Sequence, residues 1–357
     1  MNTTGQYTVV RFTPASRIAA AVAIVILIAL ALAPWWAGRA DMRLLSELFL
    51  YMALASLWNL LAGYAGLVSV GQQAFVGFGG YCLFAFTMFL GLSPMAAIPV
   101  AGLAGALIAV PVAVLIFRLR GAYFAIGTWV IAEVFRLGAA QVSALGGGSG
   151  TSLPVSIVRS IADSRAMREA TTYWMALGMV VVVLALVCVL LRSRRGVALT
   201  AIRDNELASQ SLGIDIWRAK FFVYVVTAAL TASVGALIFL QKLRISPDAA
   251  FSVNDWTAFV IFIVVIGGIG TIEGPIIGTI IFFLLRETLA DLGAVYLMIL
   301  GLVAIVIMLR APKGIWGFVR ERTGLDLFAL TRRVVERRPA AGQNTENKEN
   351  AHEPQAT

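Results

Sequence analysis

Glu133 and Arg136 stand three residues apart inside an apolar run, Glu273 follows a glycine-rich string, and Arg286 and Glu287 are neighbours near the end of another run. Ionisable groups at such depth are the parts from which an ion-coupled carrier builds proton or sodium sites. Glu133 and Arg136 also suit a simpler role, neutralising one another across one turn of a helix. Other chemistry-bearing residues are scarce. The single histidine, His352, lies in a polar tail, and Cys82 and Cys188 sit in apolar runs where they serve as small packing residues. No Ser or Cys nucleophile has a histidine near it and no His, Cys, Asp or Glu spacing matches a metal site, so neither catalytic nor metal-ligating residues are expected. The phosphate-cradling pattern GxxxxGK followed by Ser or Thr is absent too, so no nucleotide or other cofactor is expected on the chain itself.

What must position these few groups is a membrane bundle. With 60% hydrophobic and 13% charged residues and a mean hydropathy of +0.87, the chain has too little polar surface for a soluble domain. Apolar runs near residues 18–34, 44–62, 72–90, 95–117, 123–137, 173–191, 221–240, 256–270, 275–289 and 294–309 approach the length a bilayer requires. The expected fold is an all-α integral membrane protein, a polytopic bundle of about ten transmembrane helices spanning residues 18–310. The run after Arg17 has no small-residue cleavage site and reads as a first span, not as a removable signal.

Orientation follows from Lys and Arg. With the N-terminus inside, cytoplasmic segments hold two before residue 18, two at Arg118 and Arg120, six in residues 192–220 and nine from residue 310 onward; nine of the 28 remain outside. Both termini are therefore expected in the cytoplasm, with residues 1–17 as a cytoplasmic N-terminus and residues 311–357 as a basic, then disordered, tail. The net charge of +9 is explained by topology, and nucleic-acid binding is not expected.

Three stretches interrupt the apolar pattern. Residues 192–220 form a basic cytoplasmic insertion with helix formers from Val197 to Leu212 and then Gly213, where a C-terminal cap would place a left-handed residue. A capped helix presented to the cytoplasm is a docking element. Residues 138–172, containing GGGSGTSLP, form a long external loop that either touches a partner or pathway or serves as a flexible connector. Glycine-rich strings also recur in the two halves, at residues 62–80 and 267–278. They suit either broken helices in an inverted repeat relating spans 2–5 to spans 7–10, or ordinary close packing through small residues.

The strings at residues 59–81, 201–237 and 246–278 occur in order and together resemble the LivM-type permease subunits of branched-chain amino acid ABC transporters, over roughly residues 43–316. That resemblance implies a subunit of a bacterial importer in the inner (plasma) membrane. It implies as partners a LivH-type second permease, two cytoplasmic ATPase subunits that bind the ATP, and a periplasmic substrate-binding protein. Related permeases for urea and short amides are expected to differ after the AIRD start at residue 201, and ELASQSLG here suits the amino-acid branch. Glu206, Ala208 and Gly213 are similar to the Glu-Ala-Ala…Gly loop by which import permeases dock their ATPases. Ala201, Ala208 and Ser211 would allow close approach while Leu207 and Leu212 bury, and Arg203 with Glu206 would support the helix or pair with charges on the ATPase. For the translocation path the polar candidates are Tyr64, Ser69, Gln72, Gln73 and Thr128, residues that serve equally as interhelical hydrogen-bonding groups. The rival readings are an ion-coupled secondary transporter of amino acids and a membrane-anchored scaffold.

Overall fold

A backbone crossing hydrocarbon must satisfy its own N–H and C=O groups, so apolar runs of this length become helices. In the computed structural model, which describes residues 7–10, 14–162, 164–289, 292–293, 295–311, 313–323 and 333–336, a helix occupies each of the ten expected runs. Strand β1 (Tyr7–Val10) precedes α1 (Pro14–Ala31) and the short α2 (Ala33–Trp36). Next come α3 (Arg39–Asn59), α4 (Gln72–Phe89), α5 (Pro94–Ile116) and α6 (Ala122–Ala140). After β2 (Thr151–Ser152) and α7 (Val155–Arg159), the long α8 (Arg165–Arg192) leads into α9 (Arg194–Asp204) and α10 (Glu206–Ser211). The chain then forms α11 (Ile216–Lys242), β3 (Arg244–Ile245), α12 (Pro247–Ala250), α13 (Phe259–Gly267), α14 (Glu273–Leu289), α15 (Val295–Arg310), α16 (Gly314–Thr323) and β4 (Arg333–Glu336).

Among the described residues seven helical stretches are long and apolar enough to cross a bilayer: Arg39–Tyr64, Pro94–Ile116, Ala122–Ala140, Arg165–Arg192, Ile216–Lys242, Pro247–Gly267 and Val295–Arg322. The remaining three expected spans are helical but fall short by that measure. Glutamines and glycines dilute α4, α14 has only 17 residues, and α1 contributes the shorter apolar stretch Ala20–Ala31. The polytopic all-α fold stands, and among the described residues seven helical stretches meet the length and apolarity of a span.

Two helices form the centre. In both α3 and α11, 78% of the apolar stretch is buried, and α4, α5, α8 and α13 pack around them. The outer faces of α5, α6 and α15 leave Leu103, Leu107, Trp129, Val134, Met298 and Leu302 exposed, as suits surfaces that meet hydrocarbon. Strand β1 pairs antiparallel with β4, which brings residues 7–10 and 333–336 together. The tail expected to be disordered lies mostly at residues 324–332 and 337–357, and these, with His352, are outside the described residues.

The loop at residues 138–172, expected outside, is tied down. Strand β2 pairs with β3 just past α11, and the Leu153 N–H donates to the Leu243 carbonyl at 2.9 Å. Beside it, the Arg136 guanidinium donates to Glu133 at 2.6–3.0 Å and to Asp248 at 2.7 Å. The Glu133–Arg136 pair is thus one part of a structural network that joins α6 to α12. Arg286 pairs across to Glu47 of α3 at 2.7 Å instead of with its neighbour Glu287.

The glycine-rich strings are helix breaks, as their composition suggests. A π-turn at Leu60–Tyr64 ends α3 before the chain runs extended to α4, and residues 268–272 separate α13 from α14. The two breaks touch each other. Asn59 Nδ2 donates to the Thr271 carbonyl at 2.7 Å and Asn59 Oδ1 accepts from the Gly270 N–H at 2.8 Å. The structure thus brings the two strings into direct contact.

Candidate functional site

Asn205 divides the basic insertion. The run from Val197 to Leu212 reads as one helix by propensity, yet Asn205 takes an extended backbone (φ −157°, ψ 107°) and caps a second helix, its Oδ1 accepting from the Ala208 N–H at 3.0 Å. Asparagine competes with helix continuation in this way because its short side chain bonds the backbone ahead of it. Helix α10 closes as cleanly as it opens. Gly213 is left-handed (φ 81°), its N–H bonds the Gln210 carbonyl at 2.9 Å, and the Ile214 N–H reaches back to Ser209 at 3.1 Å, which together make a Schellman cap. A six-residue helix is too short to persist on propensity alone, so two caps matter here.

Only Ser209 of α10 is buried. Leu207 is 78% exposed and Leu212, at the cap, 81%; apolar side chains so exposed on a polar loop form a surface suited to a partner. Glu206 forms an ion pair with Lys220 at the start of α11, and does not pair with Arg203. Ala208 and Ser211 are exposed beside the leucines.

Arg203 points the other way. Its Nη1 donates to the Gly63 carbonyl in the first break at 2.7 Å, while Nε and Nη2 grip Asp204 at 2.9 and 2.8 Å. Gly63 is packed on Gly270: a Cβ there would stand 2.6 Å from the Gly270 nitrogen and would also collide with Asn59 Oδ1. From Arg203, at the end of α9 and just ahead of α10, the polar contacts therefore run to the first break, and through Asn59 to the second. Helix α16 closes the same end, since Gly314 packs onto Gly268. Glu273, the first residue of α14, is buried next to this cluster.

The residues expected along the path are buried inside the bundle. Thr128 Oγ donates to the Ala125 carbonyl at 2.8 Å and accepts from the Val70 N–H at 3.0 Å. Ser69 accepts from Trp58 Nε1 through its carbonyl at 2.7 Å and from the Gly71 N–H through Oγ at 3.2 Å. Gln73 accepts from the Thr257 hydroxyl, and Gln72 Nε2 donates to the Leu54 carbonyl at 3.0 Å. The Tyr64 hydroxyl and Gln72 Oε1 have no hydrogen-bond partner among the described residues. Gln72 and Ser69 line a cavity of about 10 Å³ with Thr227 and Tyr224, far too small for an amino acid. Among the described residues no group of three or more His, Cys, Asp or Glu side chains could hold a metal ion.

Asn59 and Asn205 carry this arrangement without having stood out in the sequence, whereas Gly63 belongs to the glycine-rich string at residues 62–80. Asn59 begins one of the quoted strings and Asn205 sits at a helix-capping residue type, but neither signal says which distant group it meets.

The profile of the family described as "Branched-chain amino acid transport system / permease component" matches residues 42–309. The chain is 28% identical to the high-affinity branched-chain amino acid transport system permease protein LivM of Escherichia coli, over 85% of this chain and 76% of that protein. It is 27% identical to the Salmonella typhimurium protein of the same name, over 82% and 73%. A shorter likeness, 24% over 39% of this chain and 45% of the relative, links it to a probable branched-chain amino acid transport permease protein LivH of Methanocaldococcus jannaschii. No solved structure matches the chain significantly.

Proposed function

The chain belongs to the family of permease components of branched-chain amino acid transport systems, LivM type, and from that premise we propose that it is one half of the translocation unit of an ATP-driven importer for branched-chain or other hydrophobic amino acids. In this reading it sits in a bacterial inner membrane with both termini in the cytoplasm, beside a LivH-type second permease. Two ATPase subunits supply the nucleotide chemistry, and a periplasmic binding protein delivers substrate. The likeness to both LivM and LivH proteins supports a paired permease.

The observation that carries the proposal is α10, a helix capped at both ends and exposed on all but one residue, which directly follows α9, whose Arg203 donates to the Gly63 carbonyl in the first helix break. An element that only connected two spans would need neither the caps nor the inward arginine. Docking an ATPase on Leu207, Ala208 and Leu212 would let its motion reach Gly63, and from there Gly270. Alternating access needs such an element, one whose two positions favour different arrangements of the bundle. At the far end Glu133 is held by Arg136, which supports a structural carboxylate over a proton site.

The test is Gly213→Val. A β-branched residue tolerates φ near 81° poorly, while the space around Gly213 is open, so the effect is on the cap and not on packing. The variant is expected at normal membrane levels, with co-purified ATPase and ATP-driven uptake both reduced by about tenfold or more. Wild-type retention of both would reduce the loop to a connector.

A further inference from the structure

The opposite end of the bundle holds a cavity of about 610 Å³ between α3, α8 and α11. Its position is fixed by the helices themselves. Helices α8 and α11 flank the docking loop, and the cavity lies at their other ends, at Arg165 and Lys242. Helix α3 with its π-turn, 26 residues and roughly 39 Å long at the rise of an α-helix, separates Arg39 at the mouth from Tyr64 at the breaks. With the loop in the cytoplasm, this cavity opens outside.

Its chemistry is graded from mouth to floor. Arg39, Arg43, Arg165, Arg168 and Lys242 surround the mouth, against the carboxylates of Glu47 and Glu169. Both carboxylates are already engaged. Glu169 lies 3.2 Å from Arg165 and 3.7 Å from Arg39, and Glu47 is held by Arg286. Arg43 and Arg168 have no carboxylate partner among the described residues, and the Lys242 ammonium stands 4.6 Å above the Trp256 ring with no ion pair among them. The site therefore carries surplus positive charge on the side where membrane topology disfavours it. Below, Leu50, Ile238 and Leu240 line an apolar floor that Tyr51 and Trp256 close, their rings stacked 5.8 Å apart over Phe282 and Phe283. At the rim Leu243 is held left-handed (φ 57°), a strain that a side chain other than glycine adopts where surrounding structure imposes it.

Resting on the importer reading, we infer that this cavity is an entry site within the subunit for a free hydrophobic amino acid. The α-carboxylate meets Arg43, Arg168 and Lys242, the ammonium faces Glu47 and the Tyr51 and Trp256 rings, and the branched side chain rests on Leu50, Ile238 and Leu240. The volume lies in the range of small-molecule sites, and the closed aromatic floor admits a short apolar body where a lipid acyl chain would need an open groove.

The probe is radiolabelled L-leucine, measured on the full-length permease in nanodiscs of phosphatidylcholine. Saturable binding is expected, with leucinamide, which lacks the carboxylate, competing about tenfold less well, and with Lys242→Gln and Arg168→Gln each weakening binding about tenfold. Arg136→Gln, which alters external charge away from the cavity, should bind as wild type and so controls for charge alone. Equal competition by leucinamide, or wild-type affinity in both cavity variants, overturns the inference. So does displacement of leucine by phosphatidylglycerol added to the disc, which would make the cavity a lipid headgroup site. ATPase co-purification separates the two readings: no leucine binding with the ATPase retained overturns the cavity and leaves the importer reading standing.

Discussion

The two ends of this bundle are built on opposite plans. At the loop end, Asn59, Gly63, Arg203 and Gly270 fill the space between two helix breaks with short hydrogen bonds and glycine contacts. At the other end, α3, α8 and α11 part around about 610 Å³ lined by more cations than carboxylates, with Arg43, Arg168 and Lys242 outside any ion pair among the described residues. Tight packing transmits displacement because neighbours have nowhere to relax; an open, charged cavity admits a ligand and transmits little. One end is suited to receive force and the other to receive substrate, and the long α3 belongs to both.

The sharpest way to break that contrast is to add volume at each end. Gly63→Val places carbon against the Gly270 backbone and Asn59, where no flexible side chain can yield, and overpacking there should cost about 1–3 kcal/mol or more. Strongly reduced levels of folded permease in the membrane are expected. Thr172→Leu, at the rim of the cavity, should insert at wild-type levels. Equal behaviour of the two variants, read by detergent-extracted yield and thermal unfolding, would remove the distinction.

Arg203→Met comes next in size and acts on function more than stability. It keeps an unbranched, shorter apolar stem and removes the donor to the Gly63 carbonyl, leaving α10, its caps and its leucines in place. ATPase should still co-purify, while ATP hydrolysis continues with uptake lowered by about tenfold or more. Joint loss of ATPase binding and uptake would instead make Arg203 part of the docking surface itself, the role its place in the sequence suggested.

That difference shows where the sequence stops being readable. Hydropathy located a helix in every expected run because a bilayer leaves the backbone no other choice. The left-handed Gly213 was legible because few residues besides glycine end a helix that way. Asn205 was not, since every residue around it favours helix and only the cap geometry reveals the break. The direction of Arg203 was hidden for another reason: its partner is a backbone carbonyl 140 positions away, and carbonyls leave no mark in sequence. The cavity was hidden likewise, because its charges come from the ends of three helices that are far apart along the chain. The glycine strings were legible as breaks, but their mutual contact required the fold.

The smallest effect is expected at Glu133, and it tells charge that matters at the cavity end of the bundle from charge that does not. Glu133 bonds Arg136 on the same helix with its side chain 46% exposed, and Arg136 keeps Asp248 when Glu133 is neutralised. Pairs this exposed contribute no more than about 1 kcal/mol. Glu133→Gln should therefore leave ATP-driven uptake unchanged and shift thermal unfolding only slightly, in contrast to Lys242→Gln at the cavity. A carboxylate that instead carried a coupling proton would behave otherwise: its loss would abolish uptake, and uptake in the parent would collapse on dissipating the proton gradient even with the ATPase removed. That pair of results would overturn the importer reading and transfer the external end of the molecule to ion coupling.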